Sequence, residues 1–111
     1  MTDQEKKYLS DILQAIALIE AFMSEIKDFD NYINDLKTQS AVERQLGIIG
    51  EAVNRFDKLN PENILNNTRE IIGFRNRLIH AYNGIDQTII WVIIKKHLNP
   101  LKEEIILKLK D

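Results

Sequence analysis

The chain has 111 residues, 44% of them hydrophobic, with four glycines, two prolines and no cysteine. This is the composition of a single globular domain, 1–111, with no thiols for disulfides or thiolate chemistry. The formal net charge of −2 excludes a protein that holds nucleic acid by bulk positive charge, so any phosphate site has to be built locally. The longest apolar run, IIWVII at 89–94, is far short of the ~18 residues that span a bilayer; MTDQEKKYLSD lacks the apolar core of a secretory signal, so a cytoplasmic location and no membrane contact are expected.

Residues 4–27 are predicted as an amphipathic helix, because Tyr8, Ile12, Ile16, Ile19, Met23 and Ile26 recur at helical spacing with Lys, Asp and Glu opposite them. DFDNYINDLKTQS reads as a break followed by a short helical turn, with Ser40 as the cap of a second long helix over 40–58. That helix carries a core stripe of Val42, Leu46, Ile49, Val53 and Phe56. It also carries a second stripe of different character, Gly47, Gly50, Glu51 and Asn54, at i, i+3, i+4 and i+7. Glycine costs about 1 kcal/mol against alanine inside a helix, so two on one face imply a close approach by another helix, a second subunit or a ligand. Helix packing is the first expectation.

DKLNPENILNN holds the turn chemistry, and Thr68 is the predicted cap of a third helix over 68–82, stopped by Asn83 and Gly84. A last helix is predicted over 86–109, with Pro100 kinking it or starting a new segment. IIWVII is rejected as a strand because nothing else in the chain would pair with it; being apolar all round, it is expected to touch both its own core and a partner. The predicted fold is all-α, an antiparallel bundle of four to five helices without repeat, linker or second domain.

The third helix carries the densest polar chemistry, GFRNRLIHAYNG at 73–84. Ile71, Phe74, Leu78, Ile79 and Tyr82 fall on one broad face with Arg75 in its middle, while Asn76 and His80 sit four apart on the opposite side. A guanidinium in an apolar arc requires a carboxylate, an interface cleft or a bound anion, and Glu51 and Glu43 are the candidate carboxylates. All five arginines lie between Arg44 and Arg77, whereas nine of the ten lysines lie outside that interval; arginine is the residue that grips phosphate in a bidentate fork. Arg77 is read as facing solvent or a ligand, and His97 as polar surface. No carboxylate and histidine cluster has metal-ligand spacing.

Arg75, four residues, His80, one residue and Tyr82 resemble the signature of the HEPN superfamily, and more closely of HepT-like toxins. DILQAIALIEAF, AVERQLGIIGEAVNR, REIIGFRNRLIHAYNGID and WVIIKKHLNPLKEEI look like that family's successive helices, so the resemblance spans roughly 9–106. Two departures concern the rim of the groove and bear on substrate preference: NPENILNN lacks the Pro-Trp pair of many members, and Asn83 stands where an aromatic is frequent.

The resemblance implies the toxin of a type II toxin–antitoxin system, a metal-independent endoribonuclease that needs no cofactor. It implies a homodimer with RNA sites at the cleft between subunits, and a nucleotidyltransferase antitoxin that silences the toxin by transferring AMP to Tyr82. In that reading His80 is the acid or base, Arg75 the phosphate clamp and Asn76 the group that orients phosphate or imidazole. Arg77 and Glu51 bind substrate. On one regular helix Arg75 and His80 point about 140° apart, so two subunits would converge them better than one. The competing readings are a noncatalytic helical module that binds nucleotide or docks a nucleotidyltransferase with the same Arg75 and His80, and a structural dimer with a polar cleft.

Overall fold

The structure is a computed structural model describing residues 1–79 and 84–110, without the side chains of Leu78 and Ile79. The expectations attached to His80, Tyr82 and Asn83 fall outside the described residues.

Helix α1 (Asp3–Phe22) starts where Thr2 Oγ1 accepts the Glu5 N–H at 3.2 Å, and it buries Leu9, Ile12, Ile16 and Ile19. It ends five residues before the predicted 27. There the Ser24 hydroxyl donates to the Ala21 carbonyl at 2.8 Å, a local bond that competes with the helical ladder. Helix α2 (Phe29–Ile33) is the predicted short turn, capped by Asp28, whose Oδ1 accepts the Asn31 N–H at 2.9 Å.

Helix α3 (Leu36–Leu59) begins earlier than the sequence suggested, and its cap is Asp35 rather than Ser40. One Asp35 oxygen accepts the Thr38 N–H at 3.0 Å and the other the Thr38 hydroxyl at 2.7 Å, which satisfies an orphan amide of the first turn and fixes the entry of the chain. Ser40 is an exposed residue within the helix. The Gln39 amide donates to the carbonyls of Tyr32 and Ile33 at 2.9 and 3.0 Å, so the α2 end is closed by a side chain of α3.

The loop 60–68 is strapped down at both sides. Asp57 Oδ1 accepts the Leu65 N–H at 3.0 Å, and Glu104 accepts the backbone N–H groups of Asn66 and Asn67 at 2.8 and 3.1 Å. Helix α4 (Arg69–Ile79) follows, with the Thr68 carbonyl accepting the Ile72 N–H at 2.9 Å. Thr68 therefore occupies the predicted boundary. Its hydroxyl, however, turns to the Leu65 carbonyl at 3.5 Å instead of accepting from the first turn. Gly84 has φ +93°, a left-handed conformation that glycine adopts without the steric cost of a Cβ.

Helix α5 (Gln87–Val92) is capped by Asp86 and passes through a π turn (Ile93–His97) into α6 (Leu98–Lys110). The predicted disturbance at Pro100 is thus displaced upstream. Pro100 has no N–H to return to Lys96, and its ring crowds that carbonyl. The π turn absorbs the mismatch, with the Leu98 N–H reaching the Ile93 carbonyl.

The core joins α1, α3, α4 and the α5–π–α6 arm through fully buried Ile12, Ile16, Leu46, Val53, Ile71, Ile90, Leu101 and Ile105. Among the described residues there is no strand and no helix long and apolar enough to cross a membrane; the fold is the predicted all-α bundle. Within IIWVII, Ile90 and Ile93 are buried and only Val92 is exposed, at 38%. Trp91 packs edge-on against Phe29 at 5.6 Å and lies 5.8 Å from Tyr32, so α2 covers the Trp91 side of this run.

Candidate functional site

The seam between α3 and α4 is where the polar stripe of one helix meets the arginine of the other. Asp57 holds Leu65 at the far end of α3, and α4 then runs back along α3 until Arg75 reaches Gly50. A Cβ on Gly50 would lie 2.7 Å from Arg75 Cδ and 2.8 Å from Arg75 Cβ. The close approach inferred from the glycine stripe is therefore helix packing at this position, and the group that approaches is the stem of the candidate clamp.

Glu51, the next residue, fixes the guanidinium. Its Oε2 accepts from Arg75 Nη2 at 2.5 Å and its Oε1 from Arg55 Nε at 2.9 Å. Arg75 is 22% exposed and Glu51 43%. The hydrogen bond from Arg75, and after it the one from Arg55, holds the Glu51 carboxyl below the usual carboxylate range. The pair thus stays charged well into mild acid. Of the five N–H donors of Arg75, the described residues engage Nη2, an arrangement that holds a guanidinium at the helix seam in a fixed direction.

Glu43, the other carboxylate considered for Arg75, is engaged elsewhere. It accepts the Gln87 amide at 2.7 Å, while Gln87 accepts the Tyr32 hydroxyl at 2.7 Å. Tyr32 is fully buried; burial first, and the Glu43 charge second, push its hydroxyl far up, so it remains a donor. This chain ties α2, α3 and the start of α5 together. Gln87 and Tyr32 were not singled out from sequence, since nothing local marks a contact 55 residues apart.

Asn76 and Arg77 are exposed on α4. Arg77 joins Arg69, Gly73, Ile89, Val92 and His97 along a groove of about 440 Å³ between α4 and the α5–π arm. Nothing lies within 4 Å of where a Gly73 Cβ would be. His97, read from sequence as plain surface, has Nδ1 3.7 Å from Glu70 Oε2 and lines this groove. The arginine cluster is therefore split by the fold: Arg69 and Arg77 on one side of α4, Arg75 in the seam, and Arg44 and Arg55 in a second groove between α1 and α3. His80 and Tyr82 lie outside the described residues. Among the described residues no three acidic or histidine side chains group to hold a metal ion.

A buried-stem arginine pinned by a carboxylate is chemically able to offer fixed positive charge to an anion such as a phosphoryl group, and moves no proton itself. Residues 12–107 match the family described as ribonuclease HepT-like. The chain is 44% identical over 106 residues to a probable ribonuclease HepT of Thermococcus cleftensis, covering 92% of this chain and 93% of that protein. It is 37% identical over 101 residues to a putative RNase of Methanocaldococcus jannaschii, covering 90% and 92%. It is 33% identical over 101 residues to a putative RNase of Caldanaerobacter subterraneus, covering 90% and 89%. By the same measure no solved structure matches. With a helical bundle that seats an arginine-bearing α4 on a glycine-notched α3, and with relatives that align along nearly their whole length, the chain belongs to the HepT-like ribonuclease family of the HEPN superfamily.

Proposed function

We propose that this protein is the toxin of a type II toxin–antitoxin pair, a metal-independent endoribonuclease that cuts RNA in a cleft between two copies of itself and acts in the cytoplasm. The observation that carries the reading is Arg75, its stem in the Gly50 notch and its head on Glu51, on the helix that leads into His80 and Tyr82. In the reaction a base takes the proton of a 2′-hydroxyl, the 2′-oxygen attacks the adjacent phosphorus, and the 5′-oxygen leaves with a proton from an acid. The products are a 2′,3′-cyclic phosphate and a 5′-hydroxyl. Arg75 holds the charge that builds on the phosphorane oxygens, where a preorganised cation contributes most. Histidine is the side chain whose ordinary titration range lets one group serve as base and another of its kind as acid, and His80 is assigned that role. The second copy supplies that second histidine.

Asn76 orients the phosphate or the imidazole and Arg77 binds the RNA backbone. Glu51, expected from sequence to touch substrate, enters this site also as the anchor that sets the direction of Arg75. Silencing comes from a nucleotidyltransferase antitoxin: the Tyr82 oxygen attacks the α-phosphorus of ATP, pyrophosphate leaves, and the tyrosine gains a phosphodiester with about one negative charge that competes with RNA for the arginines.

Two experiments test the reading. Purified protein should cleave RNA in EDTA, and Arg75→Ala or His80→Ala should lower the rate by about 10²- to 10⁴-fold with unchanged helical circular dichroism. Undiminished cleavage by His80→Ala would remove the mechanism, and nucleotide binding without cleavage by the parent would favour the noncatalytic module. Incubation with the nucleotidyltransferase, ATP and magnesium, followed by intact mass and peptide mapping, should place AMP on Tyr82 with loss of cleavage. An unmodified Tyr82 would sink the silencing step.

A further inference from the structure

Glu51 does more than hold Arg75, because its second oxygen carries the seam into another groove. Through Arg55 Nε at 2.9 Å the α3–α4 seam is continuous with a groove of about 400 Å³ between α1 and α3, lined by Lys7, Tyr8, Arg44, Glu51 and Arg55. Pockets of this size take one small-molecule unit such as a nucleotide. Arg44 and Arg55 are eleven residues apart on α3, three turns, so they share one line and stand roughly 16 Å apart along the helix axis. Arg44 is exposed, and Tyr8 is half-buried with its ring against the core beneath.

The chemistry of the lining matches an RNA strand better than any apolar partner. Lys7 and Arg55 sit in exposed i,i+4 pairs with Asp11 and Glu51. Such pairs are weak, so a phosphate can take over the cations at small cost while Asp11 and Glu51 keep them at the groove edge. Positive charge that tracks a backbone, beside an aromatic face on which a base stacks, is the recurring construction of single-strand binding sites. In a chain of net charge −2, placing these groups next to the Arg75 seam supplies locally the positive charge that the whole molecule lacks.

We propose that the α1–α3 groove is a subsite for one unpaired nucleotide beyond the two that flank the scissile phosphate, its base on Tyr8 and its phosphates on Arg44 and Lys7, with Arg55 joining it to the seam. The inference rests on the ribonuclease reading, and its test separates the two. Cleavage is measured on a dinucleotide that spans only the scissile bond and on a ten-nucleotide single-stranded RNA. In the double variant Lys7→Ala, Arg44→Ala, kcat/KM for the ten-mer should fall about tenfold further than for the dinucleotide. The salt dependence of ten-mer binding should become shallower by about 0.7 per lost phosphate contact. Tyr8→Ala should show the same selective loss and Tyr8→Phe should recover it, because phenylalanine keeps the stacking face. The double control Lys27→Ala, Lys110→Ala, an equal charge change at exposed positions outside the groove, should leave both substrates unaffected.

Equal losses on the two substrates, or a parental ten-mer response to salt in the double variant, would overturn the subsite. So would a change of oligomeric mass with parental RNA affinity, which would make the groove a subunit contact. If the parent cleaves neither substrate, the ribonuclease reading fails by itself, and fluorescence anisotropy of the labelled ten-mer still decides the groove: the double variant binding as tightly as the parent overturns it.

Discussion

Replacing Gly50 by alanine puts a methyl group where the stem of Arg75 already is. The added Cβ would stand 2.7 Å from Arg75 Cδ, 2.8 Å from Cβ and 3.1 Å from Cγ, against the ~3.5–4.0 Å of ordinary carbon contacts. Cδ can swing away, but Cβ is fixed to the α4 backbone, so relief requires α4 to move off α3 by roughly 0.7 Å or more. Alanine returns about 1 kcal/mol of helix propensity, while overpacking of this kind costs about 1–3 kcal/mol. The net loss of stability is thus about 0–2 kcal/mol. Activity should suffer more, because a displacement near 1 Å at a positioning group can cost about 10²-fold. Denaturant unfolding and single-turnover RNA cleavage in EDTA measure the two effects on the same preparation. Gly73→Ala is the internal comparison: with nothing within 4 Å of its Cβ position, it should gain about 1 kcal/mol. A Gly50→Ala protein that is more stable by a similar amount and cleaves at the parental rate would refute the tight seam and the need for Arg75 to sit where it does.

Glu51→Gln should lower cleavage by loosening Arg75. It should also flatten the acid limb of the stability curve: a carboxyl held below its unfolded value stabilises the fold above that unfolded value and loses the contribution as pH falls through the folded one, so in thermal melts parent and variant should differ above the ordinary glutamate range and converge only on the acid side of it. Asp57 has the opposite sign, since burial pushes its carboxyl up and the parent should lose stability as pH rises through the folded value. Asp57→Asn keeps an acceptor for the Leu65 N–H and should abolish that decline, and melts from pH 3 to 7 that superimpose on the parent would contradict it. Glu104→Ala strips the acceptor from the Asn66 and Asn67 amides and should cost about 1–2 kcal/mol, with protease cutting in the loop 60–68 as an independent readout.

The parts of the fold governed by a single period were legible in the sequence. Ile12, Ile16, Ile19, Val42, Leu46, Ile49, Val53 and Phe56 were chosen by helical spacing alone, and all are buried. Boundaries set by side chains that compete for one amide were less so: Ser40 and Asp35 are both good caps, and Asp35 prevails because Thr38 offers it an N–H and a hydroxyl together. The π turn is a nonlocal consequence of keeping the helical arm continuous past Pro100, and no residue type announces it. At the site, helical spacing placed Arg75 on the packed face and named Glu51 and Glu43 as partners. The choice between them depends on how far α4 runs back along α3, a distance set by the strapped loop and invisible to pattern. Arg69 and His97 share a groove only because α4 and the α5–π arm meet there.

The central claim is that the ribose's own 2′-hydroxyl does the cutting, without a metal ion, at a site built on Arg75 and His80. Its most direct test is a DNA oligonucleotide carrying one ribonucleotide, incubated with the protein in EDTA and analysed by mass spectrometry. The account predicts a single cut immediately 3′ of the ribose, leaving a 2′,3′-cyclic phosphate and a 5′-hydroxyl, and no cut with His80→Ala. Cleavage at deoxyribose linkages, or cleavage that appears only when magnesium is restored, would contradict it.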